Sequence, residues 1–205
     1  MSKKISLHDD ISSIRQMMEK STRFLSLSGL SGVLAGLIGL VGCAIAYYWM
    51  YYPAMPWGAP AAEVHTLIKP LVLLGLAVLA AALLTVGGFT YQKAGKQGEK
   101  IWNSSFKRLV LNLAIPLAAG GFFILACLIQ GYWGLIAPAS LAFYGLSLIN
   151  GAHFTLGDVR QLGYTQLALG VLCAFFPSYG LLFWAIGFGL MHVVYGSIMH
   201  FRYDR

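Results

Sequence analysis

An all-α fold is predicted: a polytopic membrane helix bundle of six transmembrane helices, both termini cytoplasmic, preceded by an amphipathic cytoplasmic helix. Three observations lead there. The 205 residues are 58% hydrophobic and only 10% charged, with mean hydropathy +0.71, more apolar surface than one soluble core hides. The apolar residues fall in six runs, each close to the roughly 20 residues a helix needs to cross a bilayer core about 30 Å thick. The lysines and arginines sit in alternate connections, as expected when positive charge stays on the cytoplasmic side of short loops.

Residues 1–23 are the first expected unit. Ile11, Ile14, Met18 and Leu25 recur at helical spacing among charged residues, and Ser6 with Asp9 resembles a capping box. The pattern predicts an amphipathic helix over 7–23, which either lies on the inner leaflet against anionic lipid or docks a partner protein or a second copy. Asp9, Asp10 and Glu19 ahead of the first run, and the length of that run, argue against a cleaved signal peptide.

Residues 24–205 form the transmembrane unit, with spans over 24–51, 67–90, 109–130, 133–150, 159–176 and 180–201, the fifth being the shortest. One side receives Lys3, Lys4, Arg15, Lys20, Arg23, Lys93, Lys96, Lys100, Lys107, Arg108, Arg160, Arg202 and Arg205, and the other only Lys69. That asymmetry orients the chain with both termini on the cytoplasmic side. It also accounts for the net charge of +7, because the basic residues are dispersed between apolar runs and not gathered on one water-facing surface for nucleic acid. The opposite side carries Tyr47, Tyr48, Trp49, Tyr51, Tyr52, Trp57, Tyr132, Trp133, Tyr179 and Trp184, an aromatic rim suited to the headgroup level.

Outer connections are tight at Gly131 and at 177–179, so spans three and four, and spans five and six, are expected as antiparallel hairpins. The hairpins resemble one another where Tyr132-Trp133-Gly134-Leu135 and Ser178-Tyr179-Gly180-Leu181 open spans four and six, which suggests a parallel repeat. Glycine marks helix contact inside the spans. Gly29, Gly32, Gly36 and Gly39 with Cys43 stripe the first, Gly180, Gly187, Gly189 and Gly196 the sixth, and Gly163 and Gly170 the fifth. Small residues let backbones approach where lipid offers no hydrophobic drive for association. The same stripes serve a closed bundle or a homo-oligomer equally well. Cys43, Cys127 and Cys173 lie in apolar runs without CxxC spacing and read as small apolar residues.

Polar groups cluster toward the cytoplasmic side. Pro116 leaves the Asn112 carbonyl without its helical donor, and Pro138 does the same for Gly134. Asn112, Tyr144, Asn150, His153 and His192 are the candidate ligand-binding residues. Asn112 and Asn150 would line a cytoplasm-facing vestibule where spans three, four and six meet; the plainer readings are an interhelical hydrogen bond for Asn112 and ordinary interfacial polarity for the group. His192 is the one strongly titratable residue near mid-bilayer, which is a functional hypothesis by default. Its plainer reading is a neutral imidazole bonded to a backbone carbonyl or to Tyr144. No cofactor is expected: His153 with His200 is the one histidine pair at matching depth for haem, and Glu63 with His65 supplies too few ligands for zinc. No phosphate loop, paired catalytic carboxylates, nucleophile elbow or HExxH is present, so no catalytic residue is assigned.

The run Leu135-Ile136-Ala137-Pro138-Ala139-Ser140 with Tyr144-Gly145, and the run YGLLFWAIGFGLMH from Tyr179 to His192, resemble an uncharacterised family of small bacterial six-helix membrane proteins. The resemblance implies a cytoplasmic-membrane protein without an established activity. Three functions are expected in order: a non-enzymatic membrane adaptor or sensor partner, docking a cytoplasmic protein through 7–23 or 91–108; a small channel or transporter for a neutral solute; and a membrane enzyme acting on a lipid-like substrate. Membrane lipid is a partner in all three.

Overall fold

A computed structural model describes residues 23–51, 64–96, 98 and 102–204, and among them there is no strand. The predicted amphipathic helix, Tyr52, Trp57 and the side chains of Glu63 and His65 fall outside that set. Six helices carry the fold: α1 (Gly29–Tyr51), α2 (Val64–Lys96), α3 (Ser104–Gln130), α4 (Ile136–Gly151), α5 (Asp158–Phe175) and α6 (Pro177–Asp204). Five of them, all but α5, are long and apolar enough to cross a membrane. The 18 residues of α5 open with Asp158 and Arg160, and its buried face carries a glutamine. At 1.5 Å per residue it is still about 27 Å long.

Local chemistry explains the helix ends. Asn103 starts α3 by accepting the Phe106 N–H at 2.8 Å through Oδ1. Gly131 ends it at φ 77°, where its own N–H and that of Tyr132 both reach the Cys127 carbonyl. The chain then reverses through the 3₁₀ turn Trp133–Leu135 into α4. Pro138 falls in the first turn of α4, where its missing N–H has no intrahelical partner to lose. It therefore does not open the helix as its position in the run suggested. Pro116 lies deep in α3, and its effect is real: the freed Asn112 carbonyl accepts Asn150 Nδ2 at 2.9 Å, and Ser147 Oγ adds a bond to the next carbonyl, Leu113, at 2.7 Å.

The expected hairpin pairing is only half right. Helices α3 and α4 do pack antiparallel, with Gly120 against Phe143 and Gly151 against Leu113. Helix α5, however, packs chiefly on α4, and α6 chiefly on α1. Backbone contacts at glycine decide this. Gly145, Gly163 and Gly170 bring α4 and α5 together, while Gly29, Gly32, Gly36 and Gly196 bring α1 and α6 together. Helix α6 also touches α4 and α5, so it joins an α1–α2 half to an α3–α4–α5 half. Helix α2 packs almost wholly on α1, and α3 almost wholly on α4. Both present long apolar faces outward, including Leu73, Leu76, Leu84, Ile115, Phe122 and Ile129.

Candidate functional site

A buried polar cluster sits at mid-height of the bundle, where α4, α5 and α6 meet. Helix α6 is not uniform there, since residues Ala185–Met191 form a π-helical turn between the α-helical segments Gly180–Trp184 and His192–Met199. Such wide turns are rare and concentrate at functional positions. The Gly187 carbonyl accepts two side-chain donors, His192 Nδ1 at 2.9 Å and Gln166 Nε2 at 2.6 Å. A carbonyl can only accept, so Nδ1 carries a proton. On the other side the Tyr144 hydroxyl, from α4, stands 2.9 Å from His192 Nε2, and with the ring neutral it donates there. The two bonds select the Nδ1–H tautomer of the neutral imidazole. The aromatic surroundings are continuous: Phe188 lies tilted between Tyr144 and Trp184, and Trp184 Nε1 donates to Ser140 Oγ at 2.8 Å.

Gln166 is fully buried, and its Oε1 has no hydrogen-bond partner. The oxygen faces the Cα of Gly187, where a Cβ would stand 2.6 Å from it and 2.5 Å from Leu141 Cδ2. A side chain at position 187 would therefore have to displace the ends of Leu141 and Gln166. The bare Cα lets α5 approach closely enough for the amide to reach the backbone.

The second cluster lies at the base. Asp204, in the last turn of α6, accepts from the Gly29 N–H at 2.8 Å, from Lys93 Nζ at 2.6 Å, from Ser28 Oγ at 3.3 Å and from His200 Nδ1 at 3.1 Å. Lys93 also donates to the Leu27 carbonyl at 2.9 Å. One carboxylate thus caps α1, where the exposed N–H groups favour negative charge, and ties the end of α2 to α6. Beside it, Thr155 Oγ1 donates to the Phe24 carbonyl, and the Phe24 N–H donates to the Phe154 carbonyl at 2.7 Å. The Phe24 ring is 5.1 Å from Phe106, which is 5.4 Å from the exposed Trp102. The segment leading out of 1–22 and the start of α3 are therefore joined in one aromatic junction.

The candidates named from sequence are dispersed. Tyr144 and His192 meet at mid-height. Asn112 and Asn150 bond to each other between α3 and α4, with Asn112 Nδ2 returned to the Arg108 carbonyl, so their polar atoms are turned on one another. Around them α3 packs almost wholly on α4, so the two amides lie at the α3–α4 contact. His153 accepts from Arg160 at 3.4 Å, and His200 pairs with Asp204. Among the described residues no three His, Cys, Asp or Glu side chains are grouped to hold a metal. The packing glycines divide as well: Gly29, Gly32, Gly36 and Gly39 of α1 face α6, while Gly187 faces Gln166, Gly189 faces Leu40 and Gly196 faces the α1 backbone. Gln166, Lys93 and Asp204 were not among the sequence candidates. The available signals were Gln166 as an amide inside the fifth run, with Gln161 nearer its start, and an aspartate one turn after His200.

Fold and site together define, among the described residues, an all-helical bundle with five helices fit to cross a membrane and a buried polar interior in which Gln166 Oε1 is left without a partner. Set against family models, curated proteins and solved structures, the chain matches none.

Proposed function

We propose that this chain is a six-span protein of the bacterial cytoplasmic membrane, N-in and C-in, that serves as a non-catalytic membrane adaptor with its docking surface at the base. The carrying observation is the Phe24–Phe106–Trp102 junction. It joins Phe24, which follows the N-terminal stretch, to Trp102 and Phe106 in the 91–108 connection, and these are the two stretches suited to a cytoplasmic partner. Trp102 and the basic residues Arg23, Lys107 and Arg108 are exposed around it, a surface that suits an acidic partner. The six-span count is supported by the length of α5, and the orientation by the sidedness of lysine and arginine. The likeness to a family of small bacterial six-helix membrane proteins belongs to the same reading.

A photo-crosslinking amino acid at position 102, introduced in native membranes, is expected to capture one discrete protein. Adducts to lipid alone overturn the adaptor reading. Alkaline phosphatase fusions after residues 51 and 176 should be active and those after 96 and 155 inactive, and the reverse pattern overturns the topology.

The π turn at Gly187 favours a second reading, a neutral-solute channel, since irregular helix at mid-depth is tolerated where it lines a path. On that reading His192→Ala changes solute flux in proteoliposomes without unfolding the chain. If flux stays the same, the path is elsewhere or absent.

A further inference from the structure

The outer surface between α1 and α2 holds a groove that the adaptor reading does not use. It runs from Leu74 to Gln92 on α2, 18 residues or about 27 Å of helix, and encloses about 600 Å³. Leu34, Ile38 and Val41 form one wall, and Ala81, Leu84 and Gly88 the other. Thr85 adds no polar demand, because its hydroxyl already donates to the Ala81 carbonyl at 2.8 Å. The groove is open along one side and its walls are almost entirely apolar, so a hydrocarbon chain lies along it without leaving a polar group unpaired.

The two ends differ. Toward the base the groove finishes at Gln92, and Lys96 stands one turn further on the same face of α2, exposed and paired with no acid among the described residues. The neighbouring Lys93 is already held by Asp204. An anionic headgroup is the complement of an unpaired lysine at that level. Gly88 adds to the argument: nothing lies within 4 Å of the place where its Cβ would be, so the groove wall is bare there.

We infer that the α1–α2 groove is a binding site for one acyl chain of an anionic phospholipid, its headgroup at Lys96. The inference rests on the membrane reading above.

The test uses the full chain in bilayer nanodiscs containing phosphatidylglycerol with a photoreactive diazirine on its acyl chain, with phosphatidylcholine bearing the same chain as comparison. Adducts are located by peptide mass spectrometry. The phosphatidylglycerol probe should mark 34–45 and 74–92 severalfold above 111–129, the exposed stretch of α3. Gly88→Leu, which fills the slot without a clash, should bring groove labelling down to the α3 level, and Lys96→Gln should bring it to that of phosphatidylcholine. Groove labelling equal to α3, or unchanged in Gly88→Leu, overturns the site; labelling unchanged in Lys96→Gln overturns the headgroup assignment. A chain in which neither α3 nor the groove is labelled refutes the membrane reading itself, so the two failures are distinct.

Discussion

Helices α1 and α2 are both glycine-rich, yet the residue does opposite things in them. In α1 each glycine is met by a neighbour. A Cβ at Gly36 would stand 2.7 Å from the Gly189 carbonyl oxygen, one at Gly39 2.8 Å from the Phe188 carbonyl oxygen, and one at Gly42 2.5 Å from Val78 Cγ2. In α2, Gly75, Gly87, Gly88 and Gly95 have nothing within 4 Å. Glycine weakens a helix by roughly 0.5–1 kcal/mol relative to alanine wherever it stands. In α1 close backbone contact with α6 offsets that loss, and in α2 no contact within the chain does. The stripe of glycines therefore says where a helix can be approached, and only the neighbours say whether it is.

The largest break in this contrast comes from filling α1. Gly36→Leu forces a side chain into the backbone of α6, which has no flexible end to yield, and the chain is expected to be lost to aggregation on size exclusion in mild detergent. Gly36→Ala should still assemble at a cost of about 1–3 kcal/mol, the usual range for overpacking, seen as a lowered melting temperature. A Gly36→Ala chain as stable as the original would mean that the α1–α6 contact gives way more easily than backbone allows.

The next effect concerns what holds α2 at all. Apart from α1, its firm tie to the body is Lys93 with Asp204, whose side chains are 15% and 10% exposed. Asp204→Ala leaves an ammonium without its partner and α1 without its cap, an expected loss of about 2–3 kcal/mol. It should also raise the reactivity of a cysteine placed at Ala94, which is fully buried at the foot of α2. If stability drops but Ala94→Cys stays protected, Asp204 serves α1 and not the tether.

How far this was legible in sequence follows the same division. Features with a local cause could be read: the Gly131 reversal needs only a residue that accepts φ 77°, and the gap at the Asn112 carbonyl follows from Pro116 four residues on. The partner of each helix could not be read. Gly163 and Gly170 announce a close approach, but nothing in the fifth run distinguishes α4 from α6 as the helix approached. Asp204 and Gly29 lie 175 residues apart, so no spacing rule connects them. Gln166 was legible as an amide in an apolar run, while its role depended on a bare Cα in another helix.

Asn150 probes the proline gap. Asn150→Ala removes the donor to the Asn112 carbonyl and should destabilise by about 1–3 kcal/mol, the penalty for an orphaned buried acceptor. Asn112→Ala keeps the bond to the Asn112 carbonyl and removes the longer contact at 3.3 Å together with the exposed Nδ2 bond to the Arg108 carbonyl, and should have a smaller effect. Equal losses would show that the side-chain pair, not the freed carbonyl, matters.

The smallest expected change has the opposite sign. Gly88→Ala and Gly95→Ala place a methyl group where the chain leaves open space, and each should stabilise α2 by about 0.5–1 kcal/mol through lower backbone entropy in the unfolded chain. The melting temperature of the pair should rise slightly in detergent, while Gly32→Ala, whose Cβ would meet Gly196 Cα at 3.2 Å, should lower it. The sign is the informative quantity. If Gly88→Ala destabilises the chain in bilayer nanodiscs yet stabilises it in lipid-free detergent, the space beside Gly88 is occupied in the bilayer, and the contrast between α1 and α2 is then one of which molecule fills the gap.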